Sequence, residues 1–171
     1  MPTTSLGIRY PASTDNYRPH TDMQNLATDV DGLLVGEGPI QRRIATNIVT
    51  ANSGSFSAET VVQTVVATLV SGRTYRVTVA GACLSSQVNV NTRVRIREDS
   101  VSGNILQSRN CTTGPVAADA VSVTYEGEYT AVSSGAKTFV VSIERQSGSG
   151  THQWQSAVAS PAYLYVDYIR G

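Results

Sequence analysis

The sequence has one lysine, Lys137, and only two cysteines, two histidines, two phenylalanines and one tryptophan among its 171 residues. Charged residues make up 15%, against roughly 25% in an average soluble protein. The 13 Lys+Arg are balanced by 13 Asp+Glu, so no electrostatic footprint for nucleic-acid binding is present and no nucleic-acid partner is expected. Cys83 and Cys111 are too few and too far apart for a zinc motif. Both fall in predicted strands, where a disulfide is conceivable; two small buried thiols is the preferred reading. The longest apolar stretch, Val61 to Val70, is broken by Gln63, Thr64 and Thr68. It falls far short of the ~20 residues of a membrane span, so no membrane partner is expected. The start, Met1-Pro-Thr-Thr-Ser, lacks a basic and then apolar run, so no secretory signal is expected and synthesis in a cytoplasm is.

Chemistry-bearing motifs are also scarce. His20 and His152 belong to no His-x-x-x-His or His-Glu-x-x-His pattern, and no Gly-x-Ser-x-Gly elbow exists. Gly36-Glu-Gly38 is too short for a phosphate loop and follows a predicted helix rather than a strand. Catalytic residues, cofactor and metal are therefore all expected to be none, and the protein is not expected to be an enzyme.

What the chain does have is 22 Val, 19 Ser and 19 Thr, the composition of a β-protein. Its 12 arginines beside one lysine point to a GC-rich coding genome rather than to a binding property. Residues 1–20 hold Pro2, Pro11 and Pro19 among small polar residues, with Leu6, Ile8, Tyr10 and Tyr17 as apolar anchors. They read as an extended arm that lies on something else. A short helix is predicted over 21–35: Thr21 and Gln24 form a capping box, and Asp22 suits the positive end of the dipole. Met23, Leu26, Val30 and Leu33 follow heptad spacing. About fourteen residues are marginal as a free helix, so the stripe is buried either on its own domain or in a self-associating bundle. Residues 36–43 are a Gly/Pro linker ending that helix.

From about Ile44 to the end, 44–171, the pattern has period two. Thr60 to Val70, Arg73 to Leu84, Val88 to Arg97, Ile105 to Cys111, Val121 to Thr130, Lys137 to Arg145 and Ala162 to Ile169 alternate, with Gly/Ser/Asn turn clusters between them. Seven or eight such strands predict an all-β, antiparallel sandwich. No Cys…Trp…Cys order is present, so a jelly roll is favoured over an immunoglobulin-like fold.

Three features invite a functional reading. Glu126 and Glu128 share a strand face ~7 Å apart, a spacing that overlaps that of glycosidase carboxylates; an ordinary solvated face is preferred. Arg93, Arg95 and Arg97 form a stripe ~13 Å long. It reads as a wet face balanced by Glu126 and Glu128, or as a subunit interface, ahead of a site for phosphate or acidic glycan. Trp154, with Tyr163, Tyr165 and Tyr168, is the candidate platform for carbohydrate stacking, with core or interface as the commoner role of such aromatics. Trp154 and the three arginines make up the possible ligand surface.

Gly7-Ile-Arg-Tyr-Pro11 followed by Asp22-Met-Gln-Asn-Leu-Ala-Thr-Asp-Val-Asp-Gly-Leu-Leu34 resembles the N-terminal segment of many tailed-phage virion proteins. Glu59-Thr-Val-Val62, Leu69-Val-Ser-Gly-Arg-Thr-Tyr-Arg-Val77 and Arg95-Ile-Arg-Glu98 are similar to their β-domain. Pro161-Ala-Tyr-Leu-Tyr-Val-Asp-Tyr-Ile169 resembles their closing strand, with Asp167 and Tyr168 where Glu and Asp are usual. The resemblance, to proteins of phages of actinobacteria, implies an accessory virion component, either a minor tail or fibre-like protein or a head decoration. It further implies location in the virion, a homotrimer, other virion proteins as partners, and no catalytic residues. On this reading Leu6, Ile8, Tyr10, Pro11 and Tyr17 dock on the particle, and Met23, Leu26, Val30 and Leu33 join subunits. The alternative is a module that recognises carbohydrate or a receptor on the host cell surface.

Overall fold

Alternation of Val, Thr and Ile with polar residues becomes nine strands in the computed structural model, which describes residues 42–114 and 120–170. They are β1 (Arg42–Val49), β2 (Thr60–Leu69), β3 (Thr74–Ser85), β4 (Asn91–Glu98), β5 (Ile105–Thr112), β6 (Ala120–Thr130), β7 (Gly135–Arg145), β8 (His152–Gln155) and β9 (Ala162–Arg170). Two antiparallel sheets result. One runs β1-β9-β3-β6 with β8 also on β3; the other runs β2-β7-β4-β5. The chain changes sheet at most connections, staying put only from β4 to β5 and from β8 to β9. With β8 as an addition, eight long strands in two four-stranded sheets wired this way make a jelly roll. The arm and helix assigned to 1–20 and 21–35 lie outside the described residues.

The period-two pattern works because one face of each strand is dry. On β2, Gln63, Val65, Ala67 and Leu69 are buried while Thr64, Val66 and Thr68 are exposed. On β6, Val123, Tyr125 and Gly127 alternate with exposed Ser122, Thr124, Glu126 and Glu128. Val77, Val79, Leu164 and Val166 of one sheet meet Val94, Ile96, Phe139, Val141 and Ile143 of the other, all shut off from solvent. Each such side chain contributes roughly 1.5–3 kcal/mol of burial.

Two differences from the sequence reading stand out. The run from Val88 to Arg97 becomes a strand only at Asn91. Val88 is 42% exposed, and Asn89 turns the chain through φ 53°, a conformation that Asn tolerates better than most residues. Strands β1 and β8 have no counterpart among the seven predicted runs. Of these, β8 shapes the sheet edge. β9 pairs with β3 from Thr74 to Ala80, and β8 takes over the same edge from Ala82 to Ser85. Between them Gly81 keeps a register partner only on β6, Val123. The outer edge of β8 is covered by the loop before β2, where Ser53 N donates to Trp154 O (2.9 Å) and Phe56 N to His152 O (3.1 Å).

Candidate functional site

The arginine stripe is locked into ion pairs. Val94 and Ile96 point into the core, so Arg93, Arg95 and Arg97 point outward, and Glu59, Ser142 and Glu144 are placed on the same face. Arg95 reaches Glu59 and Glu144 at 2.7 Å each, and Arg97 Nε is 2.8 Å from Glu59. Ser142 Oγ donates to Glu59 at 2.6 Å. Desolvation alone would raise the Glu59 pKa, but hydrogen bonds from Arg97, Ser142 and Arg95 hold it below the ordinary value. The balancing carboxylates are therefore Glu59 and Glu144, not Glu126 and Glu128. The stripe also offers little open guanidinium: Arg95 is 7% exposed, and Arg93 Nε donates to Asn110 Oδ1 (3.1 Å).

Glu126 and Glu128 belong to the other sheet, where Arg76 of the neighbouring strand stands between them, 3.3 and 4.0 Å away. One guanidinium binding both carboxylates is a surface ion-pair arrangement. Next to it in the same sheet, Arg43 pairs with Asp167 (3.1 Å) and lays its guanidinium 3.6 Å from the Tyr165 ring centre.

Trp154 is not a surface platform. It is wholly buried, its Nε1 donates to Gln63 Oε1 (3.2 Å), and Gln63 Nε2 donates in turn to Ala162 O (3.1 Å). The reason lies on the neighbouring strand: Gly81 has no side chain, and the indole fills that space. Trp154 is thus withdrawn as a ligand contact. His152, two residues before, is also wholly buried, its Nδ1 2.5 Å from Thr92 Oγ1. Nε2 has no hydrogen-bond partner among the described residues. Burial, helped by Arg145, holds its pKa below the ordinary 6.5. Tyr168 is likewise in the core, 5.8 Å from the Tyr75 ring.

Cys83 and Cys111 are reduced and buried on opposite sheets. Cys111 Sγ lies 4.0 Å from Val121 O, and Val121 is the register partner of Cys83. Cys111, with burial, pushes the Cys83 thiol up, while Cys83 holds Cys111 down against the opposing effect of burial. Among the described residues no group of three His, Cys, Asp or Glu could hold a metal ion.

A groove does form where β8 hands the edge of β3 to β9. It measures about 420 Å³, within the usual 300–1,000 Å³ of small-ligand sites. Ala80, Gly81 and Ala82 line it from β3, Ser122 and Thr124 from β6, and Gln155, Ser160 and Tyr163 from the β8–β9 turn and its flanks. The turn is fixed from several sides. Ala157 and Ser160 exchange backbone hydrogen bonds at 3.0 Å. Ser156 Oγ donates to Val49 O and accepts from Ala162 N, and Ser156 N donates to Asn52 Oδ1 at 2.8 Å. Of the tyrosines on this face, Tyr165 is covered by Arg43, whereas the described cation–ring contacts leave Tyr163 clear. Sequence reasoning places Tyr163 and Tyr165 on one face, but it does not find Asn52, Gln155 or Ser160. No motif marks them, because the groove arises from a change of strand partner.

The residues assigned to docking (Leu6, Ile8, Tyr10, Pro11, Tyr17) and to self-association (Met23, Leu26, Val30, Leu33) lie outside the described residues.

No family model and no curated protein matches the chain. Among solved structures it is similar to one described as CBM4 structure and function, at 15% identity and TM-score 0.33, covering 61% of this chain and 60% of that one. It is similar to a family 6 carbohydrate-binding module from Clostridium stercorarium in complex with cellobiose, at 12% identity and TM-score 0.37, covering 70% and 92%. It is also similar to the structure of infectious bursal disease virus, Gx strain, at 12% identity and TM-score 0.42, covering 76% and 32%. The chain thus spans about three-fifths of the first of these. Likeness at this level concerns architecture and says nothing of what this chain binds.

Proposed function

We propose that the protein is a non-enzymatic structural component of a bacteriophage virion, a minor tail or fibre-like protein or a capsid decoration. Residues 1–20 dock on the particle, the stripe Met23, Leu26, Val30 and Leu33 joins three copies, and the jelly roll projects. One observation supports this above others: the nine described strands fall between Arg42 and Arg170. The residues assigned to docking and self-association therefore precede the sandwich in the chain. Three weak arms on one trimer bind together far more tightly than one, because the second and third meet their sites at high effective concentration.

The test is incorporation. A chain lacking residues 1–20 should keep the thermal unfolding transition of the sandwich yet fail to co-purify with particles. Normal incorporation of that truncated chain refutes the docking role. Light scattering of the full chain should give three times the 18.2 kDa chain mass; a monomer at all concentrations refutes the trimer.

A second reading, a module recognising carbohydrate on the host cell surface, is favoured by the groove at Tyr163. It is compatible with the first, since a projecting virion domain is well placed to meet a cell.

A further inference from the structure

We infer that the groove between β8 and β9 binds an uncharged saccharide, with Tyr163 as its stacking surface; the inference rests on the carbohydrate reading and names its site and ligand class. Charge selects a neutral ligand. Among the described residues, no Asp, Glu, Lys or Arg lines the groove. Of the described charged side chains of the same sheet, Arg43 is engaged further along with Asp167, and Arg76 with Glu126 and Glu128. An anionic ligand would find no cation in the groove, and a cationic one no carboxylate.

The polar groups of the groove suit hydroxyls. Gln155, Ser122, Thr124 and Ser160 offer amide and hydroxyl groups whose side chains make no hydrogen bond to other described residues. Asn52 uses its carbonyl oxygen for Ser156 N, which leaves its NH₂ as a donor. Neutral groups that both donate and accept match the hydroxyls of a sugar ring, which do the same. A purely apolar ligand would leave them unpaired, at a cost.

An apolar wall stands beside them. Tyr163 is half-buried with its ring clear of cations, and its register partner on β1 is Ile48, 54% exposed. Val158, 85% exposed, lies in the turn at the rim. A sugar ring has the same two-sided character, C–H groups on its face and hydroxyls round its edge. The small floor of Ala80, Gly81 and Ala82 lets a ring approach the sheet. The hydrogen bonds that fix Ser156 and its turn mean little has to be ordered on binding.

The experiment titrates the isotopically labelled full chain with three neutral disaccharides (lactose, maltose and cellobiose) and with sialyllactose as an anionic control. In parallel, purified host cell wall is tested for pull-down of the protein. At least one neutral disaccharide should bind saturably in the millimolar range or tighter. Its amide shifts should be confined to Ala80–Ala82, Gln155–Ala157 and Ser160–Tyr163. Tyr163→Ala should weaken it about tenfold or more, and Gln155→Ala should weaken it as well. Tyr163→Phe should keep most of the affinity. Unchanged thermal midpoints in these variants show that folding is intact. Absence of binding by all three neutral sugars, binding of sialyllactose alone, or binding indifferent to Tyr163→Ala overturns the inference. Pull-down by cell wall that survives Tyr163→Ala keeps the carbohydrate reading while removing this groove from it; no pull-down at all removes both.

Discussion

The Trp154 indole occupies the place where a side chain on Gly81 would be. A Cβ built on Gly81 would stand 2.2 Å from Trp154 Cζ2 and 2.8 Å from Cε2. The ring is wholly buried and pinned at Nε1 by Gln63, so it has nowhere to retreat.

Gly81→Ala should therefore cost about 1–3 kcal/mol or more in denaturant unfolding, the range of overpacked cores. Gly54→Ala is the matched control, since a Cβ there meets nothing within 4 Å. Equal midpoints for the two variants would contradict the packing described.

Trp154 is the only tryptophan, so its fluorescence reports one site. Emission should be blue-shifted and poorly quenched by acrylamide in the native protein, and red-shifted on unfolding. Trp154→Ala should lose about 3–5 kcal/mol, an effect on stability rather than on ligand contact.

Stability should fall as pH drops below about 6.5. The native protein holds His152 neutral, with its pKa lowered by burial and by Arg145, while the unfolded chain takes up a proton at the ordinary value. The unfolded state then binds more protons, so acid favours it, by up to about 1.4 kcal/mol per pH unit. His152→Gln should flatten the loss between pH 7 and 5, measured by denaturant titration at each pH. Glu59, whose pKa is lowered, adds loss in the same direction but only below about 4.5, so the two windows separate.

Glu59→Gln should cost of the order of 3 kcal/mol, because it strips a partner from Arg95 and Arg97, whose side chains are 9% and 11% exposed. Glu126→Gln should cost about 0–1 kcal/mol, its side chain being 52% exposed. A reversed order in chemical denaturation would show the Glu59 network to be weaker than its geometry implies.

Both thiols should resist alkylation in the native state, and Cys111 should react first. Cys83 is fully excluded from solvent and its pKa is pushed up by Cys111 and by burial. Cys111 lines an opening of about 360 Å³ between β5 and β6 and its pKa is held down by Cys83. Mass spectrometry after brief exposure to iodoacetamide reads the order directly.

Seven of the nine strands are legible in the sequence because alternate residues face the core, which writes period two into them even on β7, where Phe139, Val140, Val141, Ser142 and Ile143 are all buried. β8 is not: His-Gln-Trp-Gln is four residues long, and it is a strand because β3 and the loop at Ser53 flank it. The same non-local packing explains Trp154. The sequence leaves stacking platform and core both open for it, and its burial is decided by a glycine on another strand. The charges behave similarly. The arginine stripe is visible, but its partners are not, since Glu59, just before β2, and Glu144, on β7, are brought to it by a strand order that no local pattern specifies. Tyr163 is legible by its face; the rest of the groove is not, being assembled from separate stretches of chain.

The pairing of β1 with β9 has a mechanical meaning. Arg42 stands opposite Tyr168 at one end of this ladder, while Val49 stands opposite Ala162 at the other, beside the groove. A pull applied at Tyr163 and resisted through the residues that lead into Arg42 acts on opposite ends of two antiparallel strands. Such a load shears the ladder, straining its hydrogen bonds together instead of opening them singly. A particle held by these two points would load the β1–β9 ladder in shear.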